Sequence, residues 1–162
     1  MSSQRLCLTL LALTVSDPAF AQTATDTFDV TITIADDCEI TSTETLDFGT
    51  SGVLTAAVDQ TATLEVTCTT GTPYDIGFDA GAAVGASTAL RGMTSPATDI
   101  ITYQLFQNAG RTVNWGNTVP TDTVASIGTG SAQALTIYGR VPAQSTPATG
   151  VYTDTVTATV TF

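Results

Sequence analysis

This sequence predicts an all-β fold, an immunoglobulin-like β-sandwich, and three observations carry the prediction. Apolar and polar residues alternate with a period of two at both ends of the chain. Short apolar runs between those ends are separated by turn formers such as Gly71-Thr72-Pro73 and Gly128-Thr129-Gly130. No window has the spacing of an amphipathic helix, and the abundant Thr, Val and Gly lower helix propensity. About seven short strands with glycine-rich connections fit one sandwich domain.

The elements follow in chain order. Residues 1–21 read as a secretory signal: Arg5 supplies the positive start, Leu6 to Val15 the apolar run, and Ala19-Phe20-Ala21 the small-x-small cleavage pattern. That apolar run is about half of the roughly 20 residues a membrane span needs. Cleavage leaves a chain beginning at Gln22. Phe28, Val30, Ile32 and Ile34 then alternate with Thr27, Asp29, Thr31 and Thr33, which puts the four apolar side chains on one face of an extended strand. The segment Gln22 to Ile34 is either the first strand of the domain's own sheet or an extension whose apolar teeth belong in another molecule. Composition alone favours the first, because most terminal strands pair within their own domain.

Further strands are expected at Glu39 to Thr43, Ala62 to Cys68, Tyr74 to Asp79, Ile100 to Gln107 and Ala134 to Arg140, with Gly81 to Ala89 as a loop. The last strand carries Val156, Ala158, Val160 and Phe162 on one face, alternating with Thr155, Thr157, Thr159 and Thr161. Loss of the signal also removes Cys7 and leaves Cys38 and Cys68. In an exported chain they are expected to form a structural disulfide, since a metal or redox pair wants closer spacing and additional ligands.

Composition excludes several activities. There is no histidine, so serine or cysteine hydrolase triads and histidine metal sites cannot be built. The net charge of −11, with only 4 cationic side chains, opposes nucleic-acid binding, which depends on neutralising phosphates. Charged residues make up 12% and hydrophobic ones 43%, a balance suited to a folded domain. The cluster Asp36-Asp37-Glu39 lacks the glycine-punctuated spacing of a calcium loop and reads as a solvated turn. Scattered carboxylates such as Asp75, Asp79, Asp99 and Asp154 give no paired acid and base. No catalytic residue, metal site or cofactor is expected.

Several segments, taken together, are similar to a known family. Cys38-Glu39-Ile40, Leu46-Asp47-Phe48-Gly49 and Val66-Thr67-Cys68-Thr69-Thr70-Gly71-Thr72-Pro73-Tyr74 lie in the first half of the chain. Leu90-Arg91-Gly92-Met93, Ile101 to Phe106, Trp115-Gly116, Ile137 to Pro142 and Gly150 to Val156 follow in the second. In this order and spacing they resemble the spore coat protein U domain, the domain of archaic chaperone-usher pilins.

The resemblance implies an incomplete sandwich, lacking one strand, which is completed by donor-strand complementation. A periplasmic chaperone would fill the open groove first, and at the outer-membrane usher the extension of the next pilin subunit would replace it. Residues 22–36 then become the donor extension, with Phe28, Val30, Ile32 and Ile34 as teeth, and 37–162 the pilin domain. Val156, Ala158, Val160 and Phe162 would line one edge of the groove. The implied role is a structural subunit of a surface pilus, exported through the periplasm, for attachment and biofilm formation. A single domain suits a shaft or adaptor subunit better than a two-domain tip adhesin. The competing readings are a secreted coat or matrix protein with a closed sandwich, and a carbohydrate-binding module or small enzyme.

Two side-chain expectations complete the reading. Trp115 is expected in core packing or as a loop anchor. Arg91 and Arg140, inside the motifs, are expected to pair with carboxylates, Asp154 being one candidate partner.

Overall fold

The computed structural model describes residues 20–162. The signal sequence assigned to 1–21 lies outside the described residues but for its last two positions. The chain divides into two units between Thr33 and Ile34.

In the first unit, residues 20–33 carry no hydrogen-bonded strand. The strand expected from Thr27 onward therefore has the right alternation and no ladder. Isolated strands do not persist in water, because a lone extended segment has neither cross-strand bonds nor a buried face.

The second unit holds eight strands: β1 Cys38–Thr43, β2 Val58–Cys68, β3 Pro73–Phe78, β4 Arg91–Thr94, β5 Ile100–Phe106, β6 Val124–Ile127, β7 Gln133–Val141 and β8 Ala158–Thr161. They form a five-stranded sheet in the order β1-β2-β7-β5-β4 and a three-stranded sheet in the order β6-β3-β8, and the pairings between these strands are antiparallel. The order and the layering are those of an immunoglobulin-like sandwich missing an edge strand.

Alternation decides which face is inside. Along β2, Ala62, Leu64, Val66 and Cys68 are buried while Thr63, Glu65 and Thr67 are half-exposed. On the opposing sheet Tyr74, Ile76 and Phe78 of β3 point into the same core. Tyr103 and Leu105 of β5 and Ile137 and Val141 of β7 complete it. Trp115, in the connection after β5, is buried in this cluster, stacks edge-on against Phe78 at 4.8 Å and donates Nε1–H to the Ile76 carbonyl at 2.8 Å. One glycine is dictated by packing: a Cβ on Gly139 would stand 2.5 Å from Leu46 Cδ2 and 2.9 Å from Phe48 Cζ, so only glycine lets the β1–β2 connection lie over β7.

Cys38 and Cys68 form a disulfide and face each other directly in the β1–β2 register, with Cα atoms 4.1 Å apart. Close spacing of this kind belongs to a non-hydrogen-bonded antiparallel pair, where side chains stand nearest.

Two of the strands escaped the sequence pattern. Arg91–Thr94 and Val124–Ile127 are four residues long and carry little alternation, so their strand state comes from the neighbours they pair with, β5 and β3. The last strand is shorter than its alternation suggests: its ladder spans Ala158–Thr161, and an isolated bridge joins Thr153 to Thr94.

Candidate functional site

The candidate site is the rim between β1, an outer strand of the five-stranded sheet, and β8, an outer strand of the three-stranded one. The two strands approach each other, yet no hydrogen-bonded register joins them among the described residues. Which backbone groups face this gap follows from ladder parity. Thr157 accepts from the Asp79 N–H at 3.1 Å and donates its own N–H to Asp79 Oδ1 at 3.0 Å. Successive residues of an extended strand direct their backbone groups to opposite sides, so Thr157, Thr159 and Thr161 face β3. The N–H and C=O groups of Val156, Ala158 and Val160 face the other way, toward the open edge.

The same argument applies to β1. The Asp37 carbonyl accepts from the Thr69 N–H at 2.9 Å, which turns Asp37 and Glu39 toward β2 and leaves Cys38 and Ile40 facing out. The Cys38 N–H is met by Asp37 Oδ1 at 2.9 Å. A carboxylate thus covers part of the bare edge, and the backbone groups of Ile40 remain available. Past Ile40 a register shift breaks the regular alternation.

Side chains along the rim are incompletely covered. Cys38 and Ile40 on β1, and Val156, Ala158 and Val160 on the β8 side, pack against the core while remaining only partly buried. Phe162 is 57% exposed. A strand laid between β1 and β8 would meet unpaired backbone on both flanks and bury these side chains beneath it.

The four expected teeth are all exposed: Phe28, Val30 and Ile32 at 86, 83 and 84%, and Ile34, which belongs to the second unit, at 69%. Large apolar side chains repeating along one face of a segment without a ladder amount to an unspent strand edge.

Polar contacts correct the expected ion pairs. Arg140 bonds Asp59, not Asp154, through Nε at 2.7 Å and Nη2 at 2.8 Å. The cause is register: Asp59 on β2 lies directly opposite Arg140 on β7. Arg111 adds a contact to the same carboxylate at 3.4 Å. Arg91 is buried and uses its guanidinium on four backbone carbonyls, those of Asp79, Thr88, Phe78 and Trp115, at 2.7 to 2.9 Å. Burial pushes its pKa down, opposed by the fields of Tyr103, Asp79 and Asp154. Asp154 accepts from Tyr103 Oη–H at 2.7 Å and from the Ala82 N–H at 2.8 Å. Burial, reinforced by this carboxylate, pushes the Tyr103 phenol far above its ordinary range.

Asp36 accepts from the Thr72 hydroxyl at 2.9 Å. Among the described residues no group of three or more Cys, Asp or Glu side chains is placed to hold a metal ion. Sequence reasoning missed Ile40 as an edge residue and Asp79 and Tyr103 as partners of the terminal strand. The one available signal was Arg91, a lone cation inside an apolar motif.

A sandwich with an open rim and an apolar leading segment defines the class, a strand-accepting β-domain. The chain belongs to the spore coat protein U domain family, whose model matches residues 24–159. It is 34% identical to Protein U of Myxococcus xanthus over 93% of this chain and 92% of that relative. Its fold is similar to the crystal structure of the CsuC–CsuE chaperone–tip adhesion subunit pre-assembly complex from the archaic chaperone-usher Csu pili of Acinetobacter baumannii. The TM-score is 0.59 at 25% identity, covering 80% of this chain. The match takes in 40% of that solved chain's length.

Proposed function

We propose that this protein is a structural subunit of an archaic chaperone-usher pilus, polymerising by donor-strand exchange for surface attachment and biofilm formation. The role is non-catalytic. The observation that carries the reading is the rim between β1 and β8, where backbone groups of Ile40, Val156, Ala158 and Val160 face no strand and the side chains around them are half-covered. Its natural complement is the exposed alternation of Phe28, Val30, Ile32 and Ile34 on another copy. Each large apolar tooth that becomes buried is worth about 1.5 to 3 kcal/mol before ordering costs, and a strand ladder adds to that.

In this reading residues 1–21 direct export, 22–36 donate, and 37–162 accept. Before assembly the rim is occupied by a periplasmic chaperone, and the exchange takes place at an outer-membrane usher. Similarity to a subunit solved with its chaperone supports that order of partners. The finished fibre lies on the cell surface.

The test is Ile32→Asp in the exported chain. A carboxylate driven into an apolar slot costs several kcal/mol. The variant should accumulate as monomer, giving no fibres by electron microscopy and no ladder of bands in unboiled gels. Normal fibres from this variant would reject donor-strand linkage through Ile32. Wild-type protein that runs on gel filtration as a lone monomer, without fibres, would favour the closed coat-protein reading.

A further inference from the structure

We infer that Asp154 and Asp79 are positioning residues for strand capture, holding the approach to β8 in register while the rim is empty. The inference rests on the subunit reading above and deepens it.

An edge strand with a partner on only one side is prone to fray, and the ladder holding β8 to β3 spans only Ala158–Thr161. The segment leading into it has one further ladder bond, from the Asp79 N–H to the Thr157 carbonyl at 3.1 Å, and is otherwise held by other means. Thr153 exchanges backbone bonds with Thr94, at 2.8 and 3.1 Å. Asp154 receives Tyr103 Oη–H at 2.7 Å, and its Oδ1 receives the N–H groups of Ala82 and Thr155, each at 2.8 Å. Asp79 Oδ1 receives the N–H groups of Thr157 and Gly81, each at 3.0 Å. Both carboxylates are set from the core side. Tyr103 is buried, and buried Arg91 fixes the backbone of Phe78 and Asp79 by bonding both carbonyls.

The fit around Asp154 is tight. Gly81 has φ +76°, and a Cβ placed there would collide with the Asp154 carboxylate, so this loop position accepts no side chain while Asp154 is in place. Val156 lies between the two carboxylate anchors, and its outward backbone groups begin the open edge. A one-residue slip there would turn Val156, Ala158 and Val160 away from the core and present the wrong backbone groups to an incoming strand. Once a strand is seated, β8 has ladders on both sides and the anchors matter less. Loss of an anchor is therefore expected to slow capture and leave release almost unchanged.

The experiment follows a fluorescent peptide of residues 22–36 binding to the full exported chain, with association and dissociation measured separately. Wild-type protein should bind it. Asp154→Ala, which removes all three bonds, should associate at least about tenfold more slowly, with dissociation unchanged. Asp154→Asn should restore the rate, since its carbonyl oxygen still accepts from Ala82 and Thr155 and its amide donates to Tyr103 Oη. Should Asp154→Ala fail to fold, Tyr103→Phe removes a single bond from the same carboxylate, and slower association with unchanged dissociation is again the expected result. Unchanged association in these variants, or equal changes in both rates, overturns the inference and leaves the subunit reading intact. A wild-type chain that takes up no peptide overturns the subunit reading and this inference with it.

Discussion

Arg91 shows how a charge is held inside an apolar sandwich without a direct ion pair. Its four carbonyl acceptors come from the end of β3, the loop that follows and the Trp115 turn, so one side chain fastens three separate segments. Arg91→Met would leave those carbonyls unmatched in a dry interior, where each orphaned group costs about 1 to 3 kcal/mol. A loss of more than about 3 kcal/mol in urea unfolding is expected. Arg140 is the contrast. It pairs with Asp59 across two exposed strand positions, and the pairing holds the Asp59 carboxyl below its ordinary range. Screening keeps such pairs near 0 to 1 kcal/mol, so Arg140→Ala should change stability by less than about 1 kcal/mol.

Asp79 adds a pH dependence at the same scale. Burial raises its pKa, but the bonds from Thr157 and Gly81 and the field of Arg91 outweigh burial and leave it lowered. A carboxyl depressed in the folded state contributes stability above its unfolded value, and that contribution is lost as pH falls through the folded value. Protection of the Thr157 amide against hydrogen exchange should therefore weaken as pH drops below about 4, after correction for intrinsic exchange, and Asp79→Asn should flatten the response.

Among the elements, β1 and β8 border the rim on which the proposed function rests, and the disulfide secures one of them. Cys38 and Cys68 close a 30-residue separation at the end of β1, a strand with a ladder on one side only. Replacing both with serine should cost about 3 to 4 kcal/mol by the chain-entropy estimate, read by thermal or urea unfolding. Strands with clean alternation were legible in the sequence: Ala62 to Cys68, Tyr74 to Asp79 and the run ending at Phe162 each declare their inner face, although the observed ladders stop at Phe78 and Thr161. Arg91–Thr94 and Val124–Ile127 were not, because four residues carry too little pattern and pairing alone makes them strands. The Asp59–Arg140 pair was hidden for a related reason. It is set by the β2–β7 register, and a contact between positions so far apart in the chain is not written in local spacing. The alternation of Phe28, Val30 and Ile32 was visible in the sequence, and the strand expected on it has no ladder among the described residues.

For the whole molecule, the proposed function makes folding and assembly one process divided between two chains. The acceptor has two bare edges and a half-covered row of side chains, and the donor segment has apolar side chains with nothing to bury them. A charge of −11 per subunit opposes indiscriminate aggregation of such surfaces, so strand insertion rather than loose hydrophobic contact should drive association. Fibre mass formed from wild-type subunits is accordingly expected to fall little between low and high salt, and light scattering would follow it. A steep loss of fibre with rising salt would assign the assembly to attraction between surface charges.

Hydrogen exchange at the amides of Ile40, Ala158 and Val160 is the most direct test, comparing unassembled subunit with fibre. Rapid exchange in the subunit and strong protection in the fibre is the predicted result, with the Leu64 and Val66 amides of the core protected in both. Full protection of Ala158 and Val160 in the lone subunit would mean that the rim is already closed, and would contradict the account.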